Sequence, residues 1–187
     1  MPRITAGSVT EHREQVRRRV FDAFAALMSE HSFDAISMAQ IAAAAEIGRT
    51  AIYHHFPDKE AVVVAFAGHE TESYLAALRG QLEAATSAPD RLRAYVRHHL
   101  ASGEDFHAGL GPRLYGVLPE SSRAAIREHV VDVERVLREV LTGGVESGDF
   151  EITDLDATVA LVHACLAPRD LAPGSVEQFV LRAVSAS

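Results

Sequence analysis

Residues 49–55 combine the residue types that read the edges of DNA bases. Arg49 and Thr50 have hydrogen-bonding side chains, Ala51 offers only a methyl group, and His54 has an imidazole. A helix enters the major groove, about 12 Å wide, only when its outer face is polar and slim. The segment therefore predicts a short helix whose outer face reads DNA.

Six histidines and the only cysteine of the chain lie beyond residue 66, and these residue types bind metals. They are His69, His98, His99, His107, His129, His163 and Cys165. The adjacent His98 and His99 point in different directions on a helix, and His163 and Cys165 do not share a helical face. Because no pair has the spacing of a zinc motif, we expect neither a metal nor a cofactor.

A second set of side chains is typical of a cavity for an organic ligand, which combines aromatic rings with a few polar groups. The set is Tyr74, Tyr95, His99, Phe106, Arg113, Tyr115 and His163. Arg113 suits an anionic group, although an ion pair at the surface is an equal alternative. Each of these residues is also compatible with core packing.

Helical periodicity supplies the elements that must position these side chains. The first helix begins with a capping box, Ser8 with Glu11, and ends near His31. Apolar residues spaced by three and four form its buried face. They are Val16, Val20, Phe24, Leu27 and Met28.

Two short helices follow, joined by a three-residue turn. Ser37 and Gln40 form a capping box that starts the second helix, about 38–45. The turn is 46–48, and the third helix, 49–55, stops before Pro57 because the residue preceding a proline avoids the helical region. This spacing is that of a helix-turn-helix. Its inner contacts are small or aliphatic: Ile41, Ala42, Ala45, Ile47 and Ile52.

The remainder of the chain is also predicted to be helical. Asp58 is a good N-cap for a fourth helix reaching about residue 85. Later helices are expected at about 89–103, 105–117, 120–143, 154–167 and 175–185, the last with a capping box of Ser175 and Gln178. The predicted fold is all-α with about nine helices. It has a three-helix DNA-binding head, residues 1–57, and a larger helical bundle, residues 58–187.

Charge and composition restrict the classes of function. The net charge is -8, but residues 1–60 carry 7 Lys and Arg against 8 Asp and Glu, so the acidic excess lies in the bundle. The run 17–19 of three arginines is typical of a solvated helix face, with DNA contact as the alternative. A single cysteine favours a reducing compartment, here the cytoplasm. The polar N-terminus does not resemble a signal peptide, and no apolar run is long enough to span a membrane.

The segment 41–60 resembles the DNA-binding signature of the tetracycline-repressor family. The run Tyr53-His54-His55-Phe56 followed by Asp58-Lys59-Glu60 is its most specific part. The resemblance is strong over about residues 10–66. Gly148-Asp149-Phe150 followed by Asp154 is similar to the loop before the family's penultimate helix.

The resemblance implies roles for individual residues in the head. Arg49 and Thr50 would approach base edges, and Ala51 would touch a thymine methyl group. Ser37, Tyr53, His54 and Lys59 would contact phosphates. Phe56 is expected in the core, and Tyr53 is expected to bury its ring while its hydroxyl reaches a phosphate.

Two residues depart from the family pattern. Glu46 stands where glycine is common in the turn, and a glutamate adopts a left-handed conformation only at a cost. Its charge would also repel DNA. Gly48 stands where serine is common, so a hydroxyl that binds phosphate is lost. Both departures leave the predicted fold unaltered, and their effect on operator affinity is left open by the sequence.

For the bundle, the resemblance implies a small-molecule pocket and a dimer interface formed by the last two helices. The expected apolar stripe of the last helix is Val176, Phe179, Val180, Ala183 and Val184. The expected function is a repressor that releases a palindromic operator when an organic effector binds. The alternatives are an enzyme that uses the histidines, which no catalytic motif supports, and a helical adaptor whose head has lost DNA binding.

Overall fold

The computed structural model of the chain describes residues 6–108, 118–167 and 171–186. Over these residues the fold is all-α, as predicted, with no β-strand. The helices are α1 Ala6–Glu30, α2 Met38–Ala44, α3 Arg49–His55, α4 Lys59–Ala84, α5 Ala88–Ala108, α6 Glu120–Ser147, α7 Leu155–Leu166 and α8 Pro173–Val184. A short 3-10 helix, Phe33–Ala35, lies between α1 and α2. Within the described ranges, no helix is both long and apolar enough to cross a bilayer.

The described residues fall into two compact units. Those within Met1–His69 and His107–Ile126 form the first unit, and those within Glu70–Phe106 and Arg127–Ser187 form the second. Each unit has its own buried apolar cluster. The sequence predicted a DNA-binding domain, residues 1–57, and a sensing domain, residues 58–187. This division concerns function, which the packing units do not test, so it stays a prediction.

Aromatic packing against α1 forms the core of the first unit. The Phe21 ring lies 5.9 Å from the Phe56 ring and 6.0 Å from the Phe66 ring, measured between centroids. Val20 and Phe24 on the same face of α1 are fully buried. The predicted apolar face of α1 is therefore confirmed, and removal of this surface from water stabilises the unit.

The second unit buries aliphatic side chains from five helices, α4 to α8. Leu78, Leu92, Leu137 and Leu141 are fully buried. At its surface, Glu177 of α8 accepts hydrogen bonds from two arginines of α5. This carboxylate therefore joins α5 to α8.

Two predicted helix ends at glycine are wrong. α5 continues through Gly103 to Ala108, and α6 continues through Gly143 and Gly144 to Ser147. A glycine inside a helix costs only about 1 kcal/mol relative to alanine, which the packing of a long helix outweighs. The proposed start of a helix at residue 105 is wrong for the same reason, and 109–117 lie outside the described residues.

Two predicted helix starts are displaced towards the N-terminus. α1 begins at Ala6, upstream of the Ser8 capping box. α8 begins at Pro173, and no side chain caps it. Proline is favoured at the first helical position because its fixed φ already matches the helix. The capping box expected at Ser175 is therefore not used.

Gly144 is the point where α6 meets the segment that follows it. A Cβ placed on Gly144 would overlap the ring of Phe150, which is buried. The Phe150 backbone N–H also donates to the Gly144 carbonyl oxygen at 3.0 Å. Glycine at this position therefore permits close packing, whereas a Cβ on Gly143 would meet open space.

We expect Gly144→Ala to lower the free energy of unfolding by about 1–3 kcal/mol, because the Phe150 ring must move out of a packed site. Gly143→Ala is the matched control. It adds the same methyl group to the same helix without a clash, and should raise stability by about 0.5–1 kcal/mol. Thermal unfolding followed by circular dichroism measures both. Equal shifts in the two variants would contradict this role of Gly144.

Candidate functional site

The helix-turn-helix begins with a complete capping box on α2. The Ser37 backbone N–H donates to Gln40 Oε1 at 2.9 Å, and Ser37 Oγ accepts from the Gln40 backbone N–H at 3.3 Å. The Ser37 hydroxyl also donates to Gln40 Oε1 at 2.7 Å. Ser37 is exposed, but a phosphate at this position would compete with Gln40 for its hydroxyl proton.

The turn between α2 and α3 places Glu46 in the left-handed region, with φ of 54°. The Glu46 N–H donates to the Ala43 carbonyl at 3.1 Å, and the Ile47 N–H donates to the Ala42 carbonyl at 3.0 Å. This pair of bonds is the Schellman motif that ends many helices, usually with glycine at the left-handed position. The conformation predicted for Glu46 is confirmed, and its side chain is exposed.

α3 has one buried face and one exposed face. Ile52 is fully buried, whereas Arg49, Thr50 and His54 are exposed and Ala51 is half-buried. The N-cap, Gly48, has φ of -62° and supplies no side-chain hydrogen bond, so glycine is not required there by conformation. The helix thus presents the polar surface that the sequence predicts.

Tyr53 differs from the expectation that its ring is buried. The side chain is 48% exposed, whereas Phe56 is buried as predicted. On a helix, Tyr53 follows the buried Ile52 by about 100° and so faces away from the core. The ring and hydroxyl of Tyr53 are therefore both accessible from outside.

Lys59 is held by the segment that precedes α2. Its Nζ donates to the Phe33 carbonyl at 2.6 Å and to the Ile36 carbonyl at 2.8 Å, and lies 4.1 Å from the centroid of the Phe33 ring. Charge-assisted hydrogen bonds of this kind are stronger than neutral ones. Lys59 therefore joins the start of α4 to the entry of α2, a role that the sequence analysis missed.

Four of the seven predicted pocket residues meet in the second unit. The Tyr74 hydroxyl lies 3.1 Å from His99 Nδ1, and the Tyr95 hydroxyl lies 2.9 Å from His163 Nε2. The His99 and His163 rings lie 6.1 Å apart. We call these four residues the tyrosine–histidine cluster. The side chains of Phe106, Arg113 and Tyr115 lie outside the described residues.

His98 adds a polar contact that the sequence analysis did not include. Its Nε2 lies 3.2 Å from the Tyr74 carbonyl oxygen, and its Nδ1 lies 3.2 Å from Gln81 Nε2. The side chain is buried, and its pairing with α4 follows from the spatial approach of two helices rather than from a local motif.

Burial keeps the polar groups of this core neutral. It lowers the pKa of His98 and of His163 below the usual imidazole value, against an opposing effect of the Glu134 charge on the pKa of His163. Burial also raises the pKa of Tyr74 and of Tyr95. Because desolvation disfavours the charged forms, neutral imidazoles lie beside protonated phenols at pH 7. Within the described part of the chain, no cluster of three His, Cys, Asp or Glu side chains could hold a metal ion.

α7 and α8 each expose one large apolar side chain. Leu161 of α7 is 66% exposed and Phe179 of α8 is 62% exposed. The apolar stripe predicted for the last helix is divided, because Val176, Val180 and Val184 are buried in the core of the second unit. An interface on α8 would therefore use the side of the helix that contains Phe179.

Two family models match the chain. Residues 20–66 match bacterial regulatory proteins of the tetR family, and residues 88–179 match the tetracyclin repressor-like C-terminal domain. The HTH-type transcriptional repressor Rv1474c of Mycobacterium tuberculosis is 28% identical over 123 residues, which are 60% of this chain. The chain spans 64% of the length of that curated relative.

Solved structures share the fold across nearly the whole chain. The superantigen PfiT superimposes with a TM-score of 0.78 at 20% identity, covering 92% of this chain and 97% of its own. The regulator FadR from Bacillus subtilis, solved with stearoyl-CoA, gives a TM-score of 0.75 at 16% identity, covering 88% and 95%. The fold is thus the same from head to bundle, and the two family models together cover more than two-thirds of the sequence. The chain belongs to the tetracycline-repressor family of bacterial regulatory proteins.

Proposed function

We propose that the chain is a homodimeric transcriptional regulator that represses by binding a palindromic operator and releases it when a small organic molecule binds. The observation that most supports this is the division of α3 into two faces. The helix buries Ile52 and exposes its polar residues from Arg49 to His54. An exposed polar helix supported by a second helix and a tight turn is the arrangement that enters a major groove.

Base reading is assigned to the N-terminal half of α3. Arg49 and Thr50 are exposed at its start, where recognition helices commonly contact base edges. An arginine reads guanine through two parallel hydrogen bonds, and a methyl group such as that of Ala51 packs on thymine. Arg49 is therefore assigned the largest share of specificity.

Phosphate binding is assigned to Ser37, Tyr53, His54 and Lys59. The exposed hydroxyl of Tyr53 and the imidazole of His54 are free to approach a phosphate from α3. Lys59 has three N–H donors, two of which hold carbonyl oxygens, so one is left for a phosphate. Phosphate contacts of this kind set the register of the protein on the duplex.

Effector binding is assigned to the second unit around the tyrosine–histidine cluster. Its phenols and imidazoles offer donors and acceptors in an apolar core, which suits an organic molecule with a polar group. Phe106, Arg113 and Tyr115 stay pocket residues predicted from the sequence alone. The regulator FadR from Bacillus subtilis, solved with stearoyl-CoA, supports an organic effector that combines apolar and polar groups.

Release follows from a shift in population between two conformations. The effector favours a pose in which the two recognition helices of the dimer no longer match major grooves about 34–36 Å apart. Coupling of about 1–3 kcal/mol is typical of such a switch. α4 contains both Lys59 and Tyr74, so one helix joins a DNA-proximal residue to the cluster. On this proposal, residues 1–57 bind DNA and residues 58–187 sense and dimerise.

A second copy of the chain is the proposed partner of α7 and α8. Ala157, Ala160 and Ala164 are exposed at helical spacing beside Leu161, so α7 presents a continuous apolar face. Together with Phe179 on α8, this face would be covered in a dimer. The same dimer pairs the two heads on a palindrome.

The protein is proposed to act in the cytoplasm, where operator DNA lies, and to have no catalytic activity.

One observation favours the alternative of an adaptor that no longer binds DNA. Glu46 places a carboxylate in the turn of the helix-turn-helix, where it would repel phosphates.

Fluorescence anisotropy with duplexes that cover the DNA flanking the gene tests the proposed function. We expect tight, salt-sensitive binding to one palindrome. Arg49→Ala should weaken it by about 1–3 kcal/mol for each half-site, because guanine readout is lost. Arg79→Ala removes an exposed arginine from the second unit and should leave affinity unchanged. An absence of binding by the unaltered protein at low salt would support the adaptor instead.

A pair of substitutions at Glu46 separates backbone strain from charge. Glu46→Gly should raise both the melting temperature and DNA affinity, since it relieves a left-handed conformation that costs about 1 kcal/mol and removes the charge. Glu46→Gln keeps the strain and removes only the charge, so it should raise affinity without raising the melting temperature. Unchanged affinity in Glu46→Gln would show that the turn lies away from DNA.

Charged substitutions on α7 and α8 test the proposed dimer. Leu161→Glu and Phe179→Glu should each give a monomer in sedimentation experiments, because a buried unpaired carboxylate costs several kcal/mol. Val131→Glu is the matched control, since Val131 is also exposed but lies on α6. A dimer that persists in both test variants would place the interface elsewhere.

A further inference from the structure

Arginines on α1 form no ion pair within the described part of the chain. Four of them, at positions 13 and 17–19, form no ion pair with any described carboxylate, although Glu11 and Glu14 share the helix. In the second unit, by contrast, Arg93 and Arg97 both pair with Glu177. Charge on α1 is thus available to an external anion.

The contacts of Arg17 show which side of α1 lies against α3. Its guanidinium carbon lies 5.5 Å from the centroid of the Phe21 ring and 5.4 Å from that of Phe56. Phe56 is the C-cap of α3. Arg13 precedes Arg17 by one helical turn and shares its face, and it is exposed. This face of α1 therefore adjoins the C-terminal end of α3.

His55, the last residue of α3, lies among the same cations. Burial lowers the pKa of His55, and the charges of Arg13, Arg17, His54 and His12 lower it further. No carboxylate contributes to this shift. Within the described ranges, no hydrogen-bond partner reaches the buried Nδ1 of His55. Arg13 and Arg17 thus lie close enough to the C-terminal end of α3 for their charges to act on His55.

We propose that Arg13 and Arg17 of α1, with His54 of α3, form a basic ridge that binds the phosphate backbone beside the groove read by α3. The inference rests on the proposed function, because it assigns a second contact surface to the same head. An arginine binds phosphate through two parallel N–H donors, and Arg13 is the most accessible guanidinium of the ridge. Arg17 acts as a positioning residue, since it packs on both phenylalanine rings.

The arginines of α1 do not all belong to the ridge. Arg18 follows Arg17 by about 100° around the helix, so it faces away from the ridge. It is exposed, and it is not among the groups that shift the pKa of His55. Arg18→Ala therefore removes the same charge from the same helix outside the proposed surface, which makes it a matched control for Arg13→Ala.

The test uses the full chain and a fluorescein-labelled duplex of about 30 bp without a designed operator, because non-specific binding reports phosphate contacts alone. Anisotropy titrations across a series of KCl concentrations give the slope of log affinity against log salt. Each phosphate contact contributes about 0.9 to that slope. We expect Arg13→Ala to reduce the slope by about 1.8 in a dimer and to lower affinity at the lowest salt by at least about tenfold. Arg13→Lys should restore most of the slope, and Arg18→Ala should leave it unchanged.

Three outcomes overturn the inference. Equal slopes for Arg13→Ala and Arg18→Ala would show that α1 acts only through its overall charge. If the slope falls in Arg49→Ala but not in Arg13→Ala, the protein binds DNA but the ridge does not contact phosphates. Failure of the unaltered protein to bind the duplex at the lowest salt would overturn both the ridge and the proposed function. Circular dichroism of each variant confirms that the helices are intact.

Discussion

The head depends on the burial of two side chains, Ile52 in the middle of α3 and Phe56 at its C-cap. α2 and α3 have seven residues each, and helices of that length are marginal in water on their own. Ile52 and Phe56 are buried, and Phe56 packs on Phe21 of α1. The Schellman turn at Glu46 sets the direction in which α3 leaves α2. Tertiary packing therefore both stabilises α3 and decides which of its residues face outwards.

The second unit meets a different constraint, because it buries polar groups in an apolar core. An unpaired polar group in such a place costs about 1–3 kcal/mol. Tyr95 of α5 avoids this cost through its hydrogen bond with His163 of α7. Tyr74 of α4 likewise forms a hydrogen bond with His99 of α5. The neutral state of Tyr95 and His163 also avoids the larger penalty of buried charge. Separating the two members of such a pair would leave both a phenol and an imidazole without a hydrogen bond unless another group bonded to each of them.

Local sequence chemistry predicted most helix boundaries in the head. The Ser37 capping box and the proline at 57 place the ends of α2 and α3 to within a residue, and Asp58 caps α4 through the Ala61 N–H at 2.7 Å. The left-handed conformation at Glu46 was indicated by the family resemblance, because glycine is common at this position of the turn. These features depend on residues within about four positions of one another, which a sequence shows directly.

Only the tertiary structure decided the features that join distant parts of the chain. Lys59 holds carbonyl oxygens 23 and 26 residues away, and Tyr95 meets a histidine 68 residues away. α6 continues through Gly144, where the glycine pair predicted a break, and the Phe150 ring fills the space that a side chain at this position would need. The sequence by itself thus determined the helical fold and the polar outer face of α3. Tertiary packing decided which side chains form hydrogen bonds with each other and which remain exposed. Burial depends on which surfaces meet in space rather than on residue type.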